Sequence, residues 1–391
     1  MNRTISPGKI SFDLEEKSSC DILVINVENY CMLKKWMFPF PVFARRDADI
    51  FVVSIKVKEP CHSGFPQHGD NEEYALHVSL DKAMITSQTV WGAVRGMESL
   101  SQLIFYDRKK SKYFIRTVEV HDFPRFSVRG IMIDSSRHYL SKKVIKRQLD
   151  VMAMNKMNVL HWHLVDSESF PYVSTTFPQL SQVGAYSSRH VYTSKAIRDI
   201  LQYARIRGIR VIPEFDLPGH TGSWKGQPEL LTECFDASKK PTYRNLVDPS
   251  KEENFEFLTK FFSEVVNAFP DDFLHLGGDE VADYITECWK IQDFMKKKSF
   301  GNNTTLLENY FFDRLAEIIS NLPSKRRMVF WQEVFDNNKP NGSIIQIWKG
   351  NTHEEILREV KAVTTKGFNV IVSACCNFSI TFKVKCCIAL T

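Results

Sequence analysis

Phe273-Leu274-His275-Leu276-Gly277-Gly278-Asp279-Glu280-Val281 sets a short, mostly apolar run against two glycines and then two adjacent carboxylates. Such a run, stopped by glycine, reads as a strand buried along its length. The glycines let another molecule approach the backbone closely at the strand's C-terminal end. Two neighbouring acids in a cleft do not both ionise freely: one tends to stay charged while the other holds its proton. The plainer alternative is a strand followed by the acidic first turn of a helix, where negative charge is favoured in any case. The surrounding sequence decides between them.

From Val128 onward, short apolar runs alternate with helical patterns, which predicts parallel β/α units. The strands expected are Val128–Ile133, Asn158–Leu164, Ile209–Phe215, Phe273–Leu276, Met328–Gln332, Ile344–Trp348 and Asn369–Ser373. Asp134, Arg137, Asp166, Asp216, Asp279, Glu280, Trp331, Glu333 and Trp348 crowd their ends. Strand C-termini that meet around one mouth are where a (β/α)8 barrel keeps its active site. A doubly wound sheet would also gather ligands there, but no G-x-G-x-x-G follows the first strand. The α/β fold expected is therefore a TIM barrel. Only about seven strands are legible where eight close a barrel. After Ala374 the pattern gives way to a segment holding four of the nine cysteines, Cys375, Cys376, Cys386 and Cys387. The eighth strand is expected to be missing, with the edges of the first and seventh exposed.

Residues 1 to about 121 read as a smaller α+β unit. Ile50–Val57 and Glu73–Leu80 have strand character, Thr89–Phe105 repeats apolar residues at helical spacing, and Tyr113–Val120 reads as one further strand. His121–Phe126, with Pro124, marks the boundary. No titratable cluster stands out before it, so this unit is expected to support the barrel.

With 391 residues and 43% hydrophobic content, the chain can bury one large core and one smaller one. The net charge of +5 is dispersed and forms no basic stripe for nucleic acid. Lys296-Lys297-Lys298 reads as a solvated helix end. No apolar stretch is long enough to span a membrane. The first residues, Met1 to Gly8, lack the apolar core of a secretory signal. Read by itself, that start keeps the chain in the cytosol, whereas nine cysteines and sequons at Asn2, Asn302, Asn303, Asn341 and Asn377 pull toward an oxidising route, and composition does not decide between the two.

Several side chains near the expected mouth carry chemistry. His161 and His163 alternate along one strand and share a face; they read either as a metal pair or as a hydrogen-bonded polar layer. Asp166 lies nearer the mouth. The Pro218-Gly219 turn presents His220, which can relay a proton to a facing carboxylate. Trp331 and Trp348 read as core residues or as walls for a pyranose ring or an acetamido methyl group. Arg137 offers a donor fork to several hydroxyls.

Arg129–Leu140, His161-Trp162-His163, Pro213–His220 and Asp279-Glu280 occur together in this order, followed by Trp331–Asp336 and Ile347-Trp348-Lys349. Over Cys20 to Ala374 the sequence resembles the β-N-acetylhexosaminidases of glycoside hydrolase family 20, specifically the animal lysosomal type. The resemblance implies exo-acting removal of terminal β-linked N-acetylglucosamine or N-acetylgalactosamine from glycans, with the substrate's own acetamido oxygen as nucleophile. It implies Glu280 as general acid and base, Asp279 as holder of the acetamido N–H, and Asp166 with His220 as a supporting dyad. Arg137 would bind sugar hydroxyls, and Trp331 and Trp348 would line the acetamido pocket. Disulfides Cys20–Cys61 and Cys234–Cys288, a lysosomal or secreted location and homo- or heterodimers are further implications. No metal or other cofactor is implied.

The resemblance stops after Ala374. There the family continues with Pro-Trp-Tyr-Leu, whose tyrosine orients the acetamido oxygen, whereas this sequence reads Cys375-Cys376-Asn377-Phe378. The expected organisation is a supporting domain over 1–121, an incomplete catalytic barrel over 122–374 and a divergent cysteine-rich tail over 375–391. The alternative function is an impaired form that binds N-acetylhexosamines or a full-length subunit.

Overall fold

The computed structural model describes residues 1–6, 9–14, 20–37, 50–61, 63–337, 342–374 and 386–390, with the backbone alone for 31–37, 337 and 386–390. Cys375, Cys376 and the sequons at Asn341 and Asn377 lie outside these residues. The chain divides into two compact units. The first comprises Met1–Ser127, Leu149–Asn158 and Tyr203–Ile209; the second comprises Val128–Gln148, Val159–Gln202 and Arg210–Thr391.

In the first unit a five-stranded sheet runs in the order Ile10–Leu14, Phe51–Val57, Lys82–Ser87, Tyr74–Val78, Val118–Asp122. The strands Phe51–Val57 and Tyr74–Val78 bury alternate residues, Val53, Ile55, Leu76 and Val78 among them, and the Val90–Gln102 helix contributes Trp91, Ala93 and Met97 to the same core. Thr89 caps that helix by accepting from the Gly92 N–H. The single strand expected over Tyr113–Val120 is two strands in different sheets. Lys112–Arg116 joins a three-stranded sheet and Val118–Asp122 the five-stranded one. Thr117 lies at the break: its N–H donates to the Met1 carbonyl at 3.0 Å, prolonging the pairing of Lys112–Arg116 with Asn2–Ile5, and the next residues turn to the other sheet. Cys20 is bridged to Cys61.

The second unit is a closed barrel. Its strands are, in chain order, Arg129–Asp134, Val159–Val165, Arg210–Phe215, Phe273–His275, Arg327–Trp331, Ile344–Ile347, Asn369–Val372 and Cys386–Leu390. The first seven pair in parallel. Every residue of the second and third strands is buried, as expected for parallel strands covered on both faces. Val128, Val159, Ile212, Phe273, Val329, Ile344 and Ile371 form one apolar cluster of the barrel, while Phe255, Phe261, Phe262 and Val265 are buried on the Glu252–Ala268 helix.

The expectation of an open seam is corrected by the eighth position. Cys386–Leu390, from the tail read as divergent, pairs with both the seventh strand and the first, antiparallel to each. The backbone groups of those two edges find partners there, which removes the liability of an unpaired edge. An eighth parallel strand is absent among the described residues; an antiparallel one stands in its place.

Candidate active site

The site is assembled at the C-terminal ends of the parallel strands. Asp134 ends the first strand and folds the following turn, accepting from the backbone N–H groups of Ser136 and Arg137 at 3.1 and 2.9 Å. Its second oxygen accepts from Arg137 Nη1 at 2.8 Å. Arg137 Nη2 lies 2.7 Å from Asp166 Oδ2, so two carboxylates fix the guanidinium while its side chain stays partly exposed. Burial opposes the charge on Arg137, but Asp166 and Asp134 outweigh it and raise its pKa.

Asp166, just past the second strand, is buried and meets two histidines. His163 Nε2 lies 2.8 Å from Oδ2 and His220 Nδ1 lies 3.1 Å from Oδ1. Burial alone would raise the Asp166 carboxyl; the hydrogen bonds from His163 and His220 overcome this and hold it far below the usual range. His220 in turn directs Nε2 toward Glu280 Oε2 at 3.4 Å and Asp279 Oδ2 at 3.7 Å. Burial disfavours the His220 cation, yet Asp216 and the bonds to Asp166 and Glu280 raise its pKa well above the ordinary value. His220 is thus an imidazolium linking one buried acid to the adjacent pair.

The Gly277-Gly278 pair shapes the turn beneath those acids. Both glycines have positive φ, 69° and 94°. A Cβ on Gly277 would fall 1.7 Å from Asp216 Oδ1, and one on Gly278 would fall 2.3 Å from Val334 Cγ2. The Gly278 N–H donates to that same Asp216 oxygen at 2.9 Å. Burial and the charge of Asp279 push Asp216 well above the usual carboxyl range, against the opposing pull of His220. Glu280 follows as the N-cap of the Val281–Cys288 helix, at φ 55°, with a side chain 41% exposed against 18% for Asp279. His220 and Glu280 both occupy the left-handed region, a conformation that persists in non-glycine residues where surrounding contacts over-determine it. Cys234, in the strand Leu231–Phe235, is bridged to Cys288 at the other end of the Glu280 helix.

Trp331 and Trp348 form one wall, with ring centroids 6.3 Å apart and planes at 69°. Trp331 ends the fifth strand, is 4% exposed, and donates its indole N–H to Glu214 Oε1 at 2.8 Å. Trp348 donates to Glu333 Oε2 at 3.0 Å, and the other Glu333 oxygen meets Lys349 Nζ at 2.8 Å. The Gln332 side-chain oxygen accepts from the backbone of Trp348 and Lys349. Of the two readings for His161 and His163, the geometry favours the polar layer. His161, Glu214 and His275 lie close enough to share an ion. However, the rings of His161 and His275 stack at 4.5 Å and 23°, which aims their in-plane lone pairs side by side rather than at one point.

The sequence-predicted residues Arg137, Asp166, His220, Asp279, Glu280, Trp331 and Trp348 all lie around this mouth. Glu214 and Gln332 escape sequence reading. Glu214 is fully buried within the third strand, and the signal that marks it is an ionisable residue inside an otherwise apolar run.

Residues 126–382, more than half of the chain, match the catalytic domain of glycosyl hydrolase family 20. Residues 12–103 match the domain described as beta-acetyl hexosaminidase like. Beta-hexosaminidase A of Caenorhabditis elegans is 60% identical over 381 residues, covering 96% of this chain and 68% of the relative. Beta-hexosaminidase subunit beta of Homo sapiens is 44% identical over 348 residues, 87% of this chain and 61% of the relative. The solved chitobiase of Flavobacterium johnsoniae superposes with a TM-score of 0.78 at 28% identity, covering 95% of this chain and 57% of that one. Matched along both its supporting and its barrel segments, and carrying the Asp279-Glu280 pair at the barrel mouth, the chain belongs to glycosyl hydrolase family 20.

Proposed function

We propose that the chain is an exo-acting β-N-acetylhexosaminidase that removes terminal β-linked N-acetylglucosamine or N-acetylgalactosamine with retention. The observation that carries this reading is the single His220 side chain facing Asp166 on one side and both Asp279 and Glu280 on the other. Glu280, half exposed at the mouth, protonates the leaving oxygen and then takes a proton from water. Asp279 accepts from the acetamido N–H, so the substrate's own carbonyl oxygen attacks the anomeric carbon and the positive charge that develops on the ring stands beside a carboxylate. Arg137 grips sugar hydroxyls with the donors that Asp134 and Asp166 leave free. Trp331 and Trp348 wall the acetamido methyl group. The two disulfides suit a lysosomal or secreted route. Pairing with a second subunit is part of the same proposal, because mammalian relatives bear alpha and beta subunit names. No helix among the described residues is long and apolar enough to cross a membrane.

A second reading, binding of N-acetylhexosamines without turnover, is favoured by the direction of the eighth strand. Antiparallel to its neighbours, Cys386–Leu390 has its C-terminal end at the face opposite the mouth, unlike the seven parallel strands. Release of a fluorophore from a β-N-acetylglucosaminide separates the two. Turnover that falls by about 10²–10⁴ in Glu280→Gln is the outcome expected of the enzyme. Saturable binding of N-acetylglucosamine by calorimetry without any turnover would favour the second reading.

A further inference from the structure

We propose that Glu214 is a positioning residue for the hydrolysis: its two carboxylate oxygens separately hold the Trp331 indole and the His163–Asp166–His220 chain that ends at Glu280. The inference rests on the proposed function and extends it to a residue that touches no substrate.

Glu214 is fully buried in the third strand, where an unpaired carboxylate would be severely destabilising. It gathers partners from three other strands. Oε1 accepts from Trp331 Nε1 at 2.8 Å and faces His275 Nδ1 at 3.4 Å. Oε2 lies 2.6 Å from His161 Nε2 and 2.8 Å from His163 Nδ1. One oxygen therefore serves the pocket wall, and the other serves the charge chain.

The second arm reaches the mouth through His163. Its Nδ1 lies 2.8 Å from Glu214 Oε2 as a charge contact without hydrogen-bond alignment, while its Nε2 is hydrogen-bonded to Asp166. An imidazole lying between two carboxylates is favoured as the cation, because each negative charge stabilises it. Glu214 from the third strand and Asp166 from the following loop supply the negative charge that favours this form. His161 on the same strand and His275 on the fourth complete its ionisable surroundings, and burial opposes them. Asp166 passes the alternation on to His220, and His220 to Glu280. Charges thus run minus, plus, minus, plus from the barrel interior to the proton donor. With Glu214 neutral, His163 has one carboxylate left beside it and loses its proton. Asp166 keeps the Nε2–H of His163 and the Arg137 guanidinium, but loses one of the positive charges that hold it ionised opposite the ring facing Glu280.

The substitution Glu214→Gln separates the two arms. The amide oxygen still accepts from Trp331, but the neutral amide removes the negative charge beside His163 Nδ1 and the acceptor that His161 Nε2 faces, so His163 is no longer favoured as the cation. Kinetics on the full chain with the fluorogenic β-N-acetylglucosaminide, from about pH 4 to 8, read the result. Glu214→Gln is expected to lower kcat roughly ten- to a hundredfold with KM within about twofold, part of the range that general acid–base catalysis contributes. Part of the loss returns toward acid, where His163 regains its proton. His163→Gln, which cuts only the second arm, should reproduce the fall in kcat and serves if the first variant does not fold. Nitrogen-detected spectra of the histidine rings give a readout independent of turnover: two ring N–H groups on His163 at neutral pH in the wild type, one in Glu214→Gln. A folded Glu214→Gln protein with unchanged kcat and pH profile, or an unchanged His163 ring, overturns the proposal. Failure of the wild type to release fluorophore overturns the proposed function instead, and the ring spectra still decide the role of Glu214.

Discussion

Gly277→Ala places a methyl group where the structure has an oxygen atom. The added Cβ would sit 1.7 Å from Asp216 Oδ1, 2.2 Å from its Cγ and 2.7 Å from its Cα. The last of these involves backbone, so rotating the Asp216 side chain does not relieve the clash. Two costs follow. Alanine at φ 69° pays about 1–2 kcal/mol for the left-handed conformation. Moving Asp216 also breaks its bond with the Gly278 N–H, and a buried unsatisfied donor costs about 1–3 kcal/mol. A destabilisation of roughly 2–5 kcal/mol is expected, a large share of the 5–15 kcal/mol typical of a folded domain. Activity suffers further, because Asp216 stands against Asp279, and misplacement of a reacting group by about 1 Å can lower rate a hundredfold. Gly367→Ala is the control: φ is 83°, but nothing lies within 4 Å of the added carbon. Thermal unfolding and fluorogenic kcat of the two variants isolate the clash from the backbone penalty. Equal losses of stability in both, with kcat unchanged in Gly277→Ala, would refute the reasoning.

Two further predictions concern the barrel interior. Arg210 and Asp271 form a buried bidentate pair, at 2.8 and 2.7 Å, at the N-terminal ends of the strands. Arg210→Met should destabilise by about 3–5 kcal/mol, and Arg210→Met with Asp271→Leu should regain most of it; denaturant titration checks both. His275, lowered to about 3 by burial against the pull of Glu214, stays neutral in the fold. The unfolded chain takes up a proton there near pH 6.5, so this contribution to stability is present above that value and lost as pH falls toward the folded pKa. Melting temperatures of His275→Gln should therefore decline less steeply than those of the wild type between those limits.

The legibility of this chain follows from burial. Parallel strands covered on both faces read as unbroken apolar runs, so all seven were legible to within two residues of their ends. The Leu231–Phe235 and Pro241–Val247 hairpin was not, because four consecutive residues of its second strand are exposed and no apolar pattern marks them. Thr117 lies at the break between two strands and bonds to Met1, more than a hundred residues away, and local pattern carries no trace of that bond. The tail strand Cys386–Leu390 is likewise defined by long-range pairing. At the site, Asp166, Asp279 and Glu280 were legible because a charge at a strand end has a ready reading in a barrel. Glu214 was hidden by lying inside its strand, where its neighbours, rather than its place in the sequence, give it a role.

The carboxylates of the mouth differ in what surrounds them, and that difference sorts their work. Asp166 is an anion because two histidines and Arg137 converge on it. Asp216 is pushed well above the usual carboxyl range by burial and the charge of Asp279, against the pull of His220. Asp279 stands between Asp216 and the His220 ring, whose Nε2 lies 3.7 Å from its Oδ2. Glu280, more exposed and held on a left-handed cap, faces the same ring. A substrate whose ring becomes positively charged during bond cleavage therefore meets an anion already oriented by its neighbours, so little reorganisation is needed at the moment of reaction. Under the proposed mechanism two acids adjacent in sequence take separate roles because their surroundings differ: His220 faces both, and Asp216 lies against Asp279.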